Sequence, residues 1–589
     1  MRRTVTIAIL VGACLWLAPA PQARQAQQAQ PSPMMQAMQQ EMARATSSLR
    51  LPNEPPPYYV AYLVTESAGE SIQATLGSIT GEFSARGRTL RVEVRVGDYT
   101  LDSSRFQTLD RDPGMLSMYG QFALSLPLDD DYALMRREMW LATDGAYKRA
   151  VQALAKKKAA AQNRAADTDP IPDFSRETPA QTYRPAVPAV PKLRAWLEDV
   201  KTISGVFLKY PDIDSSSVSI SESQGMRYFL NSEGFKVIEP IRAVSISVGA
   251  SAQATDGAAL RDSFDRTGRT VDDLPTAADL VAQTEKLASS LTAQRLAKIG
   301  EEYTGPVLVE GQASPALMST TLVPLFLSQR APEMESMGGA QPRFPSPPFL
   351  NRIGARVLPD SFSVNDTPSV EKFGGSVVMG AYAVDDEGIP AQDVALVKDG
   401  RLLTLLTGRT PQKNLLKSNG HGRTGNAQAG VFQMESSKAV PASELKPKYL
   451  ELLKQQSRPF GYIIRGVSRG GMLPSSGRGG AGSTQLGPQI LDVVKVLPDG
   501  TEQTVRGLVF ANVQYTTFKN ILEASRERTL YSTQATSMSA GIPVLPGGTA
   551  TGVAAISLIV PSVIFEEVEI QADKAPAPKP PIVPSPLRK

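Results

Sequence analysis

The chain is almost empty of the side chains that bind metals or form disulfides. It holds one histidine, His421, and one cysteine, Cys14. A catalytic zinc is ordinarily held by about three protein ligands drawn from His, Asp, Glu and Cys, so a His-x-x-x-His pair is excluded outright. A single cysteine excludes an intrachain disulfide, and stability in an oxidising compartment must come from the core. Strong charge of one sign is also missing. A net charge of +4 argues against a nucleic-acid binder driven by displacement of phosphate counterions. The basic run Lys156-Lys157-Lys158 reads as a solvated helix face. No apolar run approaches the roughly 18 residues of a membrane span.

What is present is ordinary globular material. Hydrophobic residues make up 41% of the chain, enough for a sizeable core, and 589 residues allow about two to four domains. The start has the order of a secretory signal peptide over 1–23. Arg2 and Arg3 precede a mostly apolar stretch to Ala18, then Pro19-Ala20-Pro21-Gln22-Ala23. This predicts a secreted or periplasmic protein. Val11-Gly12-Ala13-Cys14 resembles a lipobox, but the apolar run continues through Leu15-Trp16-Leu17, which favours simple cleavage over lipoprotein anchoring at Cys14. Residues 24–57, rich in Gln, Ala, Met and Pro, read as a flexible or weakly helical leader.

Period-two alternation then predicts strands at Tyr58–Val64, Leu90–Val96 and Val244–Val248. Asp129 to Asp131 sit where a helix N-terminus favours acidic residues. The helix that follows should put Trp140, Tyr147, Val151 and Leu154 on one buried face. A second amphipathic helix carries Leu193, Trp196, Val200, Ile203 and Phe207. Asn231-Ser232-Glu233-Gly234 reads as a hairpin turn, and Asp279–Ile299 as a helix. Together these predict a mixed α/β N-terminal domain over 58–300.

Beyond residue 300 the texture changes to short apolar runs and turns, predicting a β-rich domain over 301–573; the chain as a whole is α+β. Asp399-Gly400 marks a tight hairpin. The stretch 465–488 is Gly- and Ser-rich but lacks a Gly-Lys-Ser/Thr ending, so a mobile loop is expected there, not a phosphate cradle. The tail 574–589 is Pro/Lys-rich and expected to be disordered. The serines are too numerous for one to be singled out as a partner of His421, which disfavours reading a Ser-His-Asp hydrolase.

Four segments in order resemble the TldD/TldE (PmbA) family, also called modulator-of-gyrase proteins. They are Gly305-Pro306-Val307-Leu308-Val309-Glu310-Gly311-Gln312-Ala313, then Ala383-Val384-Asp385-Asp386-Glu387-Gly388-Ile389-Pro390, then Ser418-Asn419-Gly420-His421-Gly422-Arg423, and Val560-Pro561-Ser562-Val563-Ile564-Phe565. The resemblance implies dimers that enclose a peptide-accessible chamber. It also implies, for the active type, a His-Glu-x-x-x-His helix after the Pro-Val-Leu strand and a cysteine near the C-terminus to complete a zinc site. Here those helix positions are Glu310, Gly311, Gln312, Ala313, Ser314 and Pro315. Both histidines and the general-base glutamate are absent, so no zinc or other cofactor is expected.

The expected function is therefore a non-catalytic subunit, in a homo- or heterodimer. It would help form a peptide-binding chamber, paired with a zinc-bearing TldD-type relative that degrades unfolded peptides, and would bind no nucleic acid. Two alternatives stand beside it: an active metallopeptidase with a divergent site, and a homodimeric peptide-binding or scaffold protein. Glu310 is the one candidate for a catalytic base or ligand. Asn419, His421 and Arg423 are candidates for contacting peptide carbonyls or a carboxylate, against a surface-turn reading in which the glycines supply positive φ.

Overall fold

The computed structural model describes residues 32–107, 124–162, 171–184, 193–334, 347–423, 425–468, 488–534, 554–573 and 585–587. The expected signal peptide, most of the Gly-rich loop and nearly all of the tail lie outside these residues.

In the N-terminal half, the alternating segments become long strands. Pro57–Thr75 pairs antiparallel with Ser78–Val96 on one side and Ser215–Asn231 on the other. Ser215–Asn231 then pairs with Lys236–Gln253, and that strand with Ala259–Gly268. The turn between Asn231 and Lys236 has Gly234 at φ +97°, as the hairpin reading requires.

Period two divides this sheet into two unlike faces. Even-numbered residues, among them Tyr62, Val64, Ile72, Val218, Ile220, Ile246 and Val248, pack under helices. Helices α1 (Pro33–Ser48) and α2 (Tyr132–Gln162) cover one part of that face. Helices α3 (Leu197–Gly205) and α4 (Ala277–Leu296) cover the other. On the opposite face, Tyr59, Ala61, Phe229 and Val237 meet Val384 and Ile389 of the second domain. Farther along that face the residues are Ser219, Ser221, Ser245 and Ser247, which need no apolar cover.

Three expectations are corrected here. The leader reading of 24–57 fails for 33–48, because α1 buries Met34, Met35, Ala37, Met38 and Met42 in the core with Ser32 capping its start. Each buried methionine gives a gross stabilisation of about 1.5–3 kcal/mol, enough to order a segment whose composition looks weakly structured. Trp140 is 43% exposed, whereas Tyr147, Val151 and Leu154 are buried. The buried stripe of α2 runs through Met135, Met139, Ala142, Ala146 and Ala150, so Trp140 lies on its flank, with Arg44 5.8 Å above its ring. Lys157 is not solvated but 3% exposed, its ammonium donating to Asp173 at 2.6 Å and to the Ser104 carbonyl at 2.9 Å.

The second domain is built on the strand Ala555–Ala572. It pairs antiparallel with Tyr303–Val309 and Ile521–Gln534 and parallel with Val431–Ser436. Tyr303–Val309 also pairs parallel with Gly461–Ser468. One face of this sheet carries the large core with Val307, Val309 and helix α5 (Ala313–Thr321). The other carries Leu308 and helix α6 (Ala442–Gln455) through Leu445, Tyr449 and Leu453. The Asp399-Gly400 turn has both residues at positive φ, +48° and +75°, the geometry of a tight hairpin.

The two halves meet through buried charge. The Arg409 guanidinium, fully buried, donates to both Glu233 carboxylate oxygens at 2.6 and 2.9 Å and to the Ser175 carbonyl at 2.6 Å, and lies 3.8 Å over the Phe174 ring. Burial works against its charge, but the Glu233 bonds outweigh burial and its pKa is raised. Arg227 crosses the same junction to Asp386 and the Val384 carbonyl.

Candidate functional site

The Tyr303–Val309 strand delivers the chain into Glu310, Gly311 and Gln312 and then into α5. Gly311, at φ +60°, makes the sharp entry with open space around it. The start of α5 is fastened to the strand carrying the C-terminal motif. Ser314 Oγ donates to the Pro561 carbonyl at 2.6 Å, and the Gly311 N–H donates to Ser562 Oγ at 3.0 Å. Where the resemblance implies imidazoles and a thiolate, the neighbouring side chains are hydroxyls, which are poor zinc ligands.

Glu310 is committed elsewhere. Arg465 Nε donates to its Oε1 at 2.7 Å, while the rest of the Arg465 fork binds Glu502 at 2.9 and 3.0 Å. Lys446 adds a further bond to Glu502 at 2.7 Å. The Arg465 hydrogen bonds bring Glu502 down to about 2, and Glu502 in turn raises the Arg465 pKa. A general base needs a free lone pair within reach of a substrate proton; here the carboxylate faces a fixed cation. Among the described residues, no group of three His, Cys, Asp or Glu side chains is placed to hold a metal ion. The donor set does not fit zinc.

The structure brings Asn419, His421 and Arg423 together in one turn, but as an internal strut. His421 has no exposed surface, which corrects the surface-turn reading. Its Nε2 lies 3.2 Å from Asp366 Oδ1, and Nδ1 lies 3.0 Å from the Asn419 carbonyl. Asp366 is itself buried and accepts the Gly430 and Val431 N–H groups. Asn419 accepts from the Thr407 N–H at 2.8 Å and donates to the Leu405 carbonyl at 2.9 Å. Arg423 donates to the Ala555 carbonyl at 2.8 Å and lies 4.3 Å over the Tyr382 ring. A side chain at Gly420 would stand 2.3 Å from the Pro390 carbonyl, and one at Gly422 would stand 1.9 Å from Glu387 Oε2, so both glycines are required by close approach.

Two features were not foreseen. Asp385, buried, and Glu387, half-buried, lie close together at the junction. Burial and then Glu387 raise the Asp385 pKa well above the carboxylate range. Burial raises Glu387 too, although Glu387 accepts the Arg409 N–H at 2.6 Å. Asp262, on the edge strand of the N-terminal sheet, is pushed up to about 7 by burial, with Asp492 of the second domain adding to the rise. Asp385 and Glu387 lay inside a motif already noticed. For Asp262 no sequence signal existed, because its partner is distant in the chain.

Comparison with known proteins places this geometry. Residues 302–572 match the family model of the PmbA/TldA metallopeptidase C-terminal domain. No curated protein sequence matches the chain. A candidate modulator of a DNA gyrase from Thermotoga maritima superposes with a TM-score of 0.55 at 15% identity, covering 87% of this chain and 96% of its own. TldE from Thermococcus kodakarensis gives 0.54 at 15% identity, covering 91% of this chain and 100% of its own. A candidate DNA gyrase modulator from Bacteroides thetaiotaomicron gives 0.52 at 13%, covering 91% and 98%. The fold shared with these structures is thus the mixed α/β, two-domain one.

Proposed function

We propose that this chain is a secreted PmbA/TldD/TldE-family protein that lacks metallopeptidase chemistry of its own and serves as a non-catalytic subunit. It shapes a chamber that holds extended, unfolded peptides beside a zinc-bearing relative. The observation that carries this reading is the Glu310–Arg465–Glu502 clamp at the start of α5. At the position where the active type needs a ligand helix, this chain has a closed ion-pair network and a proline, Pro315. A zinc-activated water needs a metal held by the protein, and the residues present do not hold one.

Peptide holding is supported by surfaces that need little side-chain chemistry. The Ser78–Val96 strand has no partner on its outer edge from Ser78 to Gly87 among the described residues. An extended peptide adds to such an edge by backbone pairing and tolerates varied sequences. Entry into the envelope follows from the signal-like start, and the small net charge fits a protein with no nucleic-acid partner.

The test is incubation of the purified chain with an unfolded protein substrate, with zinc and with chelator. No cleavage is expected under either condition. Chelator-sensitive cleavage that disappears in Glu310→Gln would replace this reading with a self-standing peptidase.

A further inference from the structure

At the junction between the two domains lies a small, largely enclosed cavity with about 10 Å³ of room for the centre of a water-sized guest. A space of that size holds one atom-sized occupant. Its wall combines Arg105 from the N-terminal half with Ser328, Arg330, Glu387, Thr410 and Asn426 from the second domain. Two of these groups are buried without a hydrogen-bond partner: Arg105 Nε and Ser328 Oγ. Ser328 is 5% exposed, so water outside the protein does not serve its hydroxyl.

The position of Arg105 is unusual in two further ways. Its backbone sits at φ +58°, a left-handed conformation that strains a residue with a side chain. It is held there by the Glu333 N–H, which donates to the Arg105 carbonyl at 2.7 Å. The carboxylates nearest its guanidinium are already taken. Asp173 receives Lys157 at 2.6 Å, Arg330 at 3.3 Å and the Asp102 N–H at 2.9 Å. Glu387 receives the Arg409 N–H. Among the described residues Arg105 has no ion-pair partner of its own. Burial, then the neighbouring Arg330 and Arg95, bring its pKa down to about 10, so it still carries its charge at neutral pH.

Arg105 is half-buried, but its Nε and the Ser328 hydroxyl are both shut off from solvent, and a buried donor left without a partner is costly and in folded proteins is ordinarily compensated. We propose that this cavity is a binding site for one small monovalent anion of the size of chloride, held by the Arg105 guanidinium and the Ser328 hydroxyl. Such an ion accepts from both orphan donors at once. Because the walls come from both domains, the bound anion acts as a fastener of the junction beside the Arg409–Glu233 pair.

Two measurements on the full-length protein test this, with bromide as the probe. Crystals grown or soaked in sodium bromide are expected to show an anomalous peak between Arg105 and Ser328. In solution, at constant ionic strength, replacing gluconate with chloride or bromide is expected to raise the unfolding midpoint saturably, by roughly 2–5 °C at an anion concentration far above Kd. Ser328→Ala, a small change that removes one donor, is expected to weaken that response severalfold, and Arg105→Gln to abolish it. A cavity filled by water alone, bromide found only at surface positions as an adventitious ion, or equal midpoints in gluconate and chloride would each overturn the proposal. The diffraction result stands whether or not the variants fold.

Discussion

Replacing Arg409 with methionine should loosen the joint between the two domains more than any other single change at the junction. The guanidinium is fully buried and spends its donors on Glu233 at 2.6 and 2.9 Å and on the Ser175 carbonyl at 2.6 and 3.2 Å. Methionine keeps most of the packing against Phe174 but leaves a carboxylate and a carbonyl without their cation. Removing one partner of a buried pair costs about 3–5 kcal/mol. Glu233 retains the Tyr99 hydroxyl at 2.6 Å, and its side chain is 14% exposed. Those outlets put the expected loss near the lower end, about 3 kcal/mol. Urea unfolding of Arg409→Met, Glu233→Gln and the double variant measures the loss and the coupling. The double variant should be less destabilised than the sum of the singles by about 1–3 kcal/mol. A loss below about 1 kcal/mol for Arg409→Met, or strict additivity, would refute the claim that this pair fastens the domains.

Other expected outcomes follow from the same structure. Asp262 has a folded pKa of about 7 against an ordinary 3.8, so its contribution to stability is fully present below about pH 4 and is lost as pH rises through 7. Asp262 is only half-buried, so solvent screening should hold the loss to about 1–2 kcal/mol. Asp262→Asn should flatten the stability profile between pH 4 and 8 in thermal melts, and an unchanged profile would count against the raised pKa of this carboxyl. Lys157→Met should cost about 3 kcal/mol by leaving Asp173 with only Arg330 and the Asp102 N–H. Lys158→Ala, one residue along and exposed, should stay within about 0.5 kcal/mol in the same denaturation assay; equal effects would contradict the burial of Lys157. His421→Ala should lower stability by about 1–3 kcal/mol, since it removes one buried partner each from Asp366 and Asn419, which keep their backbone bonds. Peptide affinity per folded molecule should not change; a selective loss of affinity would return His421 to the substrate path.

Where local pattern decides structure, the sequence could be read. Val244, Ile246 and Val248 alternate with small polar residues, and the pleat sends them under α3 and α4. Asp399-Gly400 and the turn ending in Gly234 declare themselves through the backbone conformations they allow. Helix α1 was legible in part. Met34, Met35, Met38, Met42 and Ala45 recur at helical spacing behind Ser32 and Pro33, but the Gln-rich surroundings masked the signal.

The candidate site was legible only as an absence. Missing ligands could be counted, whereas the groups that engage Glu310 could not be found: Arg465 lies 155 residues away and Glu502 farther still. His421 shows the same limit. A polar, glycine-flanked histidine suggests an exposed turn, yet the aspartate that lets it be buried, Asp366, is 55 residues earlier in the chain. Lys157 was misread for the corresponding reason, its charge being compensated by Asp173, 16 residues later in the chain. Long-range charge pairing leaves no periodic mark in a single sequence.

The proposed subunit role requires that a catalytic partner exists. Affinity purification of the tagged full-length protein from its native envelope fraction, with mass spectrometry of what accompanies it, answers this in one step. Recovery, in stoichiometric amount, of a relative carrying His-Glu-x-x-x-His is the predicted result. Recovery of this chain alone, as a dimer of itself, would contradict the subunit reading and leave a self-contained peptide-binding protein in its place.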